Sequence, residues 1–374
     1  MPSGKIQSLV GDTPTDRNQI PNPFHLHFTS GFRQWLAQER ISLALTTYEG
    51  GKLIIIGPGL QGGTVVTERN FERCMALHVE GDRNIWISTN HHVWQLENGL
   101  DPGQLFEGQW DRVYLPRTAL VTGGVDAHDI ARANDGNLYG VITTYNCIAR
   151  LSPGEKGSFS PYWRPPFVDR IVAEDRCHLN GMCLGDGKLA YASLVAASNE
   201  NYGWRKKKND GGMIVDIRTD EIVAEGLCMP HTPRLHNGDL WFLEAGRGYI
   251  CRIDRRTKKV ERVLWRPGFL RGLRFHGKHA FVCCSAPRDE TFNGLPLDEE
   301  LAKRNEEARC ALDVIDLDRG EVAHSVAITG SVKEIYDMAP LENCRQPLLY
   351  GIEGDDIRKI VVLGPDESGR RPKT

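Results

Sequence analysis

The feature that most constrains this fold is an internal repeat of a short strand, a turn with Gly or Asn, and a strand rich in aromatic and β-branched residues. Its clear copies read MALHVEGDRNIWIST from Met75, AHDIARANDGNLYGVIT from Ala127, LNGMCLGDGKLAYASL from Leu179, TPRLHNGDLWFLEAG from Thr232 and RGLRFHGKHAFVCCS from Arg271. A looser copy spans residues 333–351. The first copies recur about every fifty residues, the length of a four-stranded blade with its loops. The repeat therefore predicts an all-β fold, a β-propeller with few short helices.

The number of blades depends on how the two ends of the repeat are counted. Six units are clear, and the strands in ISLALTTYEGGKLIIIG and TVVTERNF add a partial unit before them. We therefore expect seven blades, with six as the alternative. The predicted organisation is an N-terminal segment at 1–40, a propeller at 41–365 and a flexible tail at 366–374. Short helices are predicted near 31–40 and 297–308.

Composition and charge narrow the classes of partner. The net charge of −3 over 374 residues gives no global field that would attract nucleic acid or an acidic membrane. The basic run at 205–208 is interpreted as a solvated loop rather than a binding patch. No apolar run is long enough to span a membrane, and residues 1–23 lack the apolar core of a signal peptide. Ten scattered cysteines without a CxxC pair favour reduced thiols and a cytoplasmic location.

Three histidines recur near the start of successive inner strands. His128 lies ten residues before Leu138, His178 eleven before Leu189, and His231 nine before Leu240. Inner strands of a propeller line its channel and start at one face, so we expect the three imidazoles to converge at one mouth. The matching positions in the remaining blades hold Arg271, and then Glu334 and Tyr336.

Converging imidazoles suit a divalent metal such as Zn²⁺, Fe²⁺ or Mn²⁺. Three protein ligands would leave a position open for water or substrate, as catalytic metal sites do. We therefore predict His128, His178 and His231 as metal ligands. Without a metal, the same side chains offer a general acid and base. The alternative to both is that they only form hydrogen bonds between blades.

Loops that join the second and third strands should lie over the same mouth. They contain the predicted substrate-binding residues Asn146, Tyr202, Glu244, Arg247 and Arg288. Two of these connections, at 196–212 and 287–310, are longer than a hairpin needs, which is typical of a lid or a substrate wall. Two solvated insertions are the alternative. Arginine side chains from these loops and from the inner strands, at 247, 271 and 288, would together hold a carboxylate or phosphate.

The leading functional hypothesis is a metal-dependent enzyme that hydrolyses, eliminates from or isomerises a small polar, anionic metabolite. Its predicted catalytic residues are His128, His178, His231, Arg271, Glu334 and Tyr336. The alternative is a non-catalytic propeller that binds a peptide or protein partner at the same mouth. A third hypothesis is a redox role for Cys177 beside His178, which requires a thiolate of lowered pKa.

Several segments resemble a bacterial family of conserved hypothetical proteins without an assigned activity. They are GFRQWLAQER with SLALTTYEGGKLIIIG, then VDAHDIA, CHLNGM, MPHTPRLHNGDLWFLEAGRG, PGFLRGLRF and IYDM. The resemblance runs from about Gly31 to Leu363 and implies a β-propeller. More distantly, the architecture is similar to lactonase and strictosidine-synthase-like propellers and to propeller lyases that hold a metal with histidines. Fold-level similarity transfers no function.

Overall fold

The computed structural model describes residues 5–8, 24–151, 157–286, 293–353 and 356–363. Three α-helices lie in these ranges, namely Phe32–Glu39 (α1), Pro296–Arg304 (α2) and Asp356–Lys359 (α3). The first two occupy the positions predicted for short helices. None of the described helices is long and apolar enough to cross a membrane. The predicted tail at 366–374 lies outside the described residues.

The strands before the second blade, in chain order, are Lys5–Ser8 (β1), Phe24–Phe28 (β2), Ile41–Thr46 (β3), Lys52–Gly57 (β4) and Val65–Asn70 (β5). The second blade contains Leu77–Glu80 (β6), Asn84–Ser88 (β7), His92–Asn98 (β8) and Arg112–Val121 (β9). The third contains Ala127–Arg132 (β10), Leu138–Ile142 (β11), Cys147–Arg150 (β12) and Ser160–Trp163 (β13).

The fourth blade contains Leu179–Gly185 (β14), Lys188–Leu194 (β15), Gly212–Asp216 (β16) and Ile222–Leu227 (β17). The fifth contains Pro230–His236 (β18), Asp239–Glu244 (β19), Tyr249–Ile253 (β20) and Val260–Trp265 (β21). The sixth contains Phe269–His276 (β22), His279–Ser285 (β23), Ala311–Asp316 (β24) and Glu321–Gly330 (β25). The last strands are Asp337–Glu342 (β26), Pro347–Leu349 (β27) and Ile360–Leu363 (β28).

The propeller has six blades, so the expected seven is wrong and the six-bladed alternative is correct. The first blade has the strand order β26-β3-β4-β5, in which Met338 on the C-terminal strand pairs with Leu45 on the N-terminal strand. The N-terminal part of the chain therefore supplies three strands of the first blade, and the C-terminal part supplies the fourth. β27 does not serve as a second strand of its own unit, because it pairs in parallel with β9, where Leu348 lies opposite Val113.

Apolar side chains fill the seams between neighbouring blades. Leu45 and Ile54 of the first blade pack in one buried cluster with Phe281 of the sixth, and Trp35 of α1 joins them. Strands β3 and β4 are buried along their whole length, as expected for strands covered on both faces. Burial of each such aliphatic side chain contributes about 1.5–3 kcal/mol.

Side-chain hydroxyls at the end of second strands fasten one blade to the next at four of the six seams. Ser88 Oγ donates to the carbonyl of Ala127 at 2.7 Å, and Thr143 Oγ1 donates to that of Leu179 at 2.7 Å. The same contact is made between Thr46 and Met75 and between Ser285 and Ile335. Between the fourth and fifth blades the contact differs, because within the described chain Ser193 Oγ has no hydrogen-bond partner.

The two ends of the channel are built differently. At one end the inner strands begin with a bulge, because the strand pairing shifts near Ala127, Leu179, His231 and Leu270. Bulges redirect side chains and are common next to active sites. We call this end the histidine mouth, after His128, His178 and His231. At the other end, the hairpin mouth, tight turns join the first and second strands, with left-handed glycines at positions 136, 187, 238 and 277.

Candidate functional site

A cavity of about 240 Å³ opens at the histidine mouth. Six of the residues predicted for the site line it, namely His128, His178, Tyr202, His231, Arg271 and Tyr336. The other lining residues are Tyr48, Asp126, Thr144, Asp175, Trp204, Arg205, Met229 and Phe269. The structure therefore brings the three predicted histidines to one cavity.

His178 is held in one orientation by a carboxylate. Its Nδ1 lies 2.9 Å from Oδ2 of Asp175, and Trp204 Nε1 donates to the same oxygen at 2.9 Å. The Trp204 and His178 rings lie 4.3 Å apart between centroids. A carboxylate accepts hydrogen bonds, so Nδ1 carries the proton and Nε2 of a neutral His178 is left as an acceptor.

The carboxylate beside His178 is ionised. Burial raises the pKa of Asp175, but His178 and the hydrogen bonds from His178 and Trp204 outweigh burial, so the net pKa is below its ordinary value. Asp175 and His178 both have left-handed backbone conformations, with φ of 40° and 49°. Such conformations cost free energy in residues other than glycine and cluster at functional sites.

His128 is kept neutral and lies beside His178. The two rings are 5.1 Å apart between centroids in an edge-on arrangement. Nδ1 of His128 donates to the carbonyl oxygen of Asp126 at 3.0 Å. Burial lowers the pKa of His128, and the raising effect of Asp126 does not compensate.

His231 is also neutral but more deeply buried. Its exposed fraction is 4%, and its ring meets that of Phe269 edge-on at 5.7 Å. Burial, followed by the charge of Arg271, holds the pKa of His231 well below its ordinary value. At neutral pH, His128 and His231 therefore present uncharged imidazoles to the cavity.

The three histidines do not share one position along their strands. His128 and His231 are each the second residue of their inner strand, whereas His178 precedes β14. Strand pairing shows the offset, because Ala127 lies opposite Ile142 while Leu179 lies opposite Leu194. His178 reaches the cavity from its left-handed backbone conformation, which counting along the repeat did not reveal.

Arg271 is neutralised within the protein. Its Nη1 lies 2.7 Å from Oε1 of Glu334, which is 3% exposed and does not line the cavity. The guanidinium lies 5.1 Å from the ring centroids of both Phe269 and Tyr336. Tyr336 Oη donates to the carbonyl oxygen of His128 at 3.2 Å, which joins the first and third blades across the channel.

Three of the predicted substrate-binding residues do not reach the cavity. Asn146 is fully buried, and its Oδ1 accepts from the backbone N–H of Arg176 at 2.6 Å and of Cys177 at 3.1 Å. It therefore positions the chain that enters β14. Glu244 does the same for the fifth blade, because it accepts from the backbone N–H of Cys228 at 3.2 Å.

The third of these residues, Arg247, pairs with Glu244 at 2.9 Å and is not a cavity residue. Asn146 directly precedes β12 and Glu244 is the last residue of β19, and both side chains accept hydrogen bonds from the backbone that leads into an inner strand. Arg288 lies outside the described residues.

Sequence reasoning missed further residues of the cavity wall, among them Asp175, Tyr48 and Arg205. Asp175 lies three residues before His178, and this short spacing is the sequence signal that could have identified it. Tyr48 lies in the turn between β3 and β4 of the first blade. Arg205 was assigned to a solvated basic run, yet its guanidinium lies 4.7 Å from the Tyr202 ring and 5.6 Å from the Trp204 ring.

The two long insertions form one wall beside the cavity. Lys208 Nζ donates to the carbonyl of Asn293 at 2.9 Å, and Asn209 Nδ2 donates to that of Gly294 at 3.1 Å. Trp204 of the first insertion packs in the same buried cluster as Leu295 of the second. The described parts of the insertions therefore pack on each other, which favours a substrate wall over solvated loops.

Metal binding by the histidines stays a prediction. In the described ranges, no group of three or more His, Cys, Asp or Glu side chains is arranged to hold a metal ion. The redox hypothesis has less support. Cys177 is fully buried, and burial raises the pKa of its thiol, which opposes formation of the thiolate.

Comparisons with known proteins agree with the fold. A family model described as Domain of unknown function (DUF4915) matches residues 30–350, which confirms the predicted resemblance to an uncharacterised family. No curated protein matches the sequence. A chain in the crystal structure of the Nidogen/Laminin complex is 10% identical, with a TM-score of 0.51 over 81% of this chain and 99% of that chain.

Two further solved structures are less similar in shape. A protein of unknown function from Bacteroides caccae is 12% identical, with a TM-score of 0.45 over 80% of this chain and 98% of that chain. A catalytically inactive virginiamycin B lyase from Staphylococcus aureus, solved with quinupristin, is 14% identical, with a TM-score of 0.40 over 82% of this chain and 99% of that chain. At these identities such likenesses concern the fold alone.

Proposed function

The chain belongs to the DUF4915 family, and we propose that it is an enzyme that uses His178 as a general acid–base on a small anionic metabolite at the histidine mouth. The observation that carries the proposal is the contact of 2.9 Å between His178 Nδ1 and Asp175 Oδ2. An ionised carboxylate fixes the tautomer and orientation of an imidazole and stabilises its protonated form. His178 Nε2 is then the atom that accepts and returns a proton.

The reaction classes that fit are hydrolysis, elimination and isomerisation, because each includes a proton transfer. In hydrolysis, Nε2 would remove a proton from water as the water attacks the substrate. In elimination or isomerisation, it would remove a proton from a carbon of the substrate. His128 lies close enough to share the bound group, and its neutral imidazole leaves Nε2 as an acceptor.

The size of the cavity favours a small molecule over a peptide. Its volume of about 240 Å³ lies below the range of roughly 300–1,000 Å³ for drug-sized ligands. The aromatic walls and the packed insertions surround the space on the side of blades four to six. A protein partner at this mouth is the competing hypothesis, and it predicts no turnover.

A divalent metal on the three histidines remains the second candidate mechanism. Nδ1 of both His128 and His178 is engaged by oxygen, as it is in metal-binding histidines that are oriented by a neighbouring acceptor. Elemental analysis of the purified protein beside the double variant His128→Ala, His178→Ala tests this mechanism. One equivalent of metal, lost in the variant, would support it.

The proposed function is tested without knowing the substrate. Purified protein is incubated with a small-molecule cell extract, and compounds that are consumed or formed are identified by mass spectrometry. We expect at least one conversion that is abolished in His178→Gln. The matched control is His236→Gln, because His236 stacks on Phe275 at the hairpin mouth, away from the cavity. A conversion that survives in His178→Gln, or no conversion at all, would count against the proposal.

A further inference from the structure

Arginines that face the channel are almost all paired with carboxylates. Arg234 Nη1 lies 3.0 Å from Asp129 Oδ2, and Arg274 Nη2 lies 2.8 Å from Asp337 Oδ2. Arg271 pairs in the same way with Glu334. Buried charges usually require such partners. These three arginines are therefore already neutralised by the protein and contribute little net charge towards a ligand.

Arg205 differs from them. Within the part of the chain that the structure describes, no carboxylate forms an ion pair with Arg205, which lines the histidine-mouth cavity. Its guanidinium instead stacks over the rings of Tyr202 and Trp204, at 4.7 and 5.6 Å from their centroids. Stacking occupies the face of a guanidinium and leaves the N–H donors along its edge available.

The position of Arg205 is fixed by its neighbours rather than by an ion pair. Trp204 is 3% exposed and donates to Asp175, the carboxylate that orients His178. Tyr202 is anchored through its backbone N–H to the carbonyl of Glu174 at 3.1 Å. Adjacent residues of one short turn thus connect Arg205 to the histidine that we propose as the acid–base.

We propose that Arg205 binds the oxyanion of the substrate, a carboxylate or a phosphate, at the rim of the cavity while His178 acts on the rest of the molecule. This inference rests on the proposed function and narrows the substrate class to small molecules with a terminal oxyanion. Arginine suits this role because its planar fork donates two parallel hydrogen bonds to such a group. Arg205 thereby determines specificity, and it takes the place of the predicted anion-binding residue Arg247.

The test uses inorganic phosphate and succinate as probes. Their dissociation constants are measured by isothermal titration calorimetry for the full-length wild type, Arg205→Met, Arg205→Lys and the control Lys207→Met. We expect Arg205→Met to weaken binding by about tenfold or more, because the variant loses charge-assisted hydrogen bonds to the anion. Arg205→Lys should lie in between. Lys207→Met removes the same charge from the same basic run and should change binding by less than about threefold.

The probe that binds more tightly distinguishes a phosphate from a carboxylate substrate. The inference is overturned if Arg205→Met binds both probes like the wild type, or if the wild type binds neither at millimolar concentration. It is also overturned if Lys207→Met weakens binding as much as Arg205→Met does, because the effect would then come from the general charge of the loop.

The extract assay separates this inference from the proposed function. For the conversion found there, Arg205→Met should raise KM much more than it lowers kcat, whereas His178→Gln should lower kcat. If Arg205→Met leaves KM unchanged while His178→Gln abolishes turnover, Arg205 is excluded and the enzyme remains. If His178→Gln leaves turnover intact while Arg205→Met still weakens anion binding, the anion site stands and the proposed catalysis does not.

Discussion

The histidine mouth and the hairpin mouth are the two ends of one channel. They differ in how far their polar side chains are paired with other groups of the protein. The hairpin mouth opens into a cavity of about 430 Å³, larger than the other, and is lined by Arg234, Arg274 and Asp129. There the charges are paired inside the protein. The histidine mouth instead contains an arginine without a carboxylate partner among the described residues, and imidazoles whose second nitrogen is not engaged.

The charges at the hairpin mouth connect all six blades. Asp129 of the third blade binds Arg234 of the fifth and also accepts from the backbone N–H of Met182 in the fourth. Asp337 of the first blade binds Arg274 of the sixth and accepts from the N–H of Leu77 in the second. Two ion pairs, each completed by backbone of a further blade, thus close the ring around the channel.

The two mouths separate polar groups that hold the fold together from polar groups that are available to a ligand. A buried charge whose partners all lie within the fold contributes to the specificity of the assembly, whereas a positioned group without a partner is available to a ligand. Cavity volume alone would favour the hairpin mouth, but the larger cavity there is lined by charges that are already paired within the protein.

The largest effect is expected from breaking an ion pair at the hairpin mouth. Arg234→Met leaves the Asp129 carboxylate buried without its counter-ion and should lower the free energy of unfolding by about 3–5 kcal/mol. Arg205→Met at the histidine mouth should change it by no more than about 0.5 kcal/mol, because Arg205 is exposed and makes no ion pair with the described residues. Urea unfolding measures both values. Equal losses in the two variants would remove the distinction between the mouths.

The next effect concerns turnover. Asp175→Asn removes the carboxylate that fixes the tautomer of His178 and should lower kcat by about a hundredfold on the conversion found in extracts. Asp126→Asn is the matched control, because His128 Nδ1 bonds to the backbone carbonyl of Asp126 at 3.0 Å and lies 3.6 Å from its carboxylate. It should cost less than about tenfold. A similar loss in both variants would mean that the two histidines act through general electrostatics instead.

At the hairpin mouth we expect a loss in the free energy of unfolding at acid pH, intermediate in size among these effects. Burial, followed by the charge of Arg274, lowers the pKa of His78 from 6.5 to about 4. The unfolded chain then binds a proton at His78 below about pH 6.5 that the folded chain does not bind until about pH 4. Stability from this group is therefore fully present above pH 6.5 and is lost as the pH falls towards 4, by about 2 kcal/mol at pH 5.

The pH dependence of urea unfolding in His78→Gln isolates this contribution. The variant should lose about 2 kcal/mol less than the wild type between about pH 7.5 and pH 5. Charged groups around His78 include Glu80, Asp129 and Arg234, and they remain in the variant. Parallel curves for the two proteins would show that His78 is not the group responsible.

Sequence reasoning succeeded where the signal is local and repeated. Alternating strands and glycine turns recur along the chain, and they identified the propeller and the convergence of His128, His178 and His231. Blade number is not a local property. The pairing of Met338 with Leu45 joins opposite ends of the chain in one blade, so counting repeats assigned the strands of that blade to two separate blades.

The site was predicted less completely because the direction of a side chain in a turn does not follow from any periodic pattern in the sequence. Asn146 and Glu244 were expected to bind substrate, but both accept hydrogen bonds from backbone N–H groups of the protein. Arg205 was dismissed because its neighbours are lysines, whereas its stacking on Tyr202 depends on the fold of the insertion. Charge patterns indicate where charge is concentrated but do not reveal which member faces a cavity.

The smallest predicted effect compares two seams of the ring. Ser88 Oγ donates to the carbonyl of Ala127 at 2.7 Å and accepts from the N–H of Ala76 at 3.0 Å. Ser193 is equally buried, yet its Oγ has no partner within the described residues. Ser88→Ala should therefore lower the free energy of unfolding by about 1–2 kcal/mol, and Ser193→Ala by about zero.

Urea unfolding of the two alanine variants checks this difference, with the same denaturant dependence expected for both. Equal losses would mean that Ser193 also stabilises its seam. The seam between the fourth and fifth blades would then be held by a hydroxyl, as the seam at Ser88 is. A neutral Ser193→Ala would instead show that this seam is held by other contacts, such as that of Asn180 Nδ2 with the carbonyl of Pro230 at 3.2 Å. His178 precedes the inner strand of the fourth blade and His231 lies on that of the fifth, so the seam without the hydroxyl contact would be the one between these two histidines.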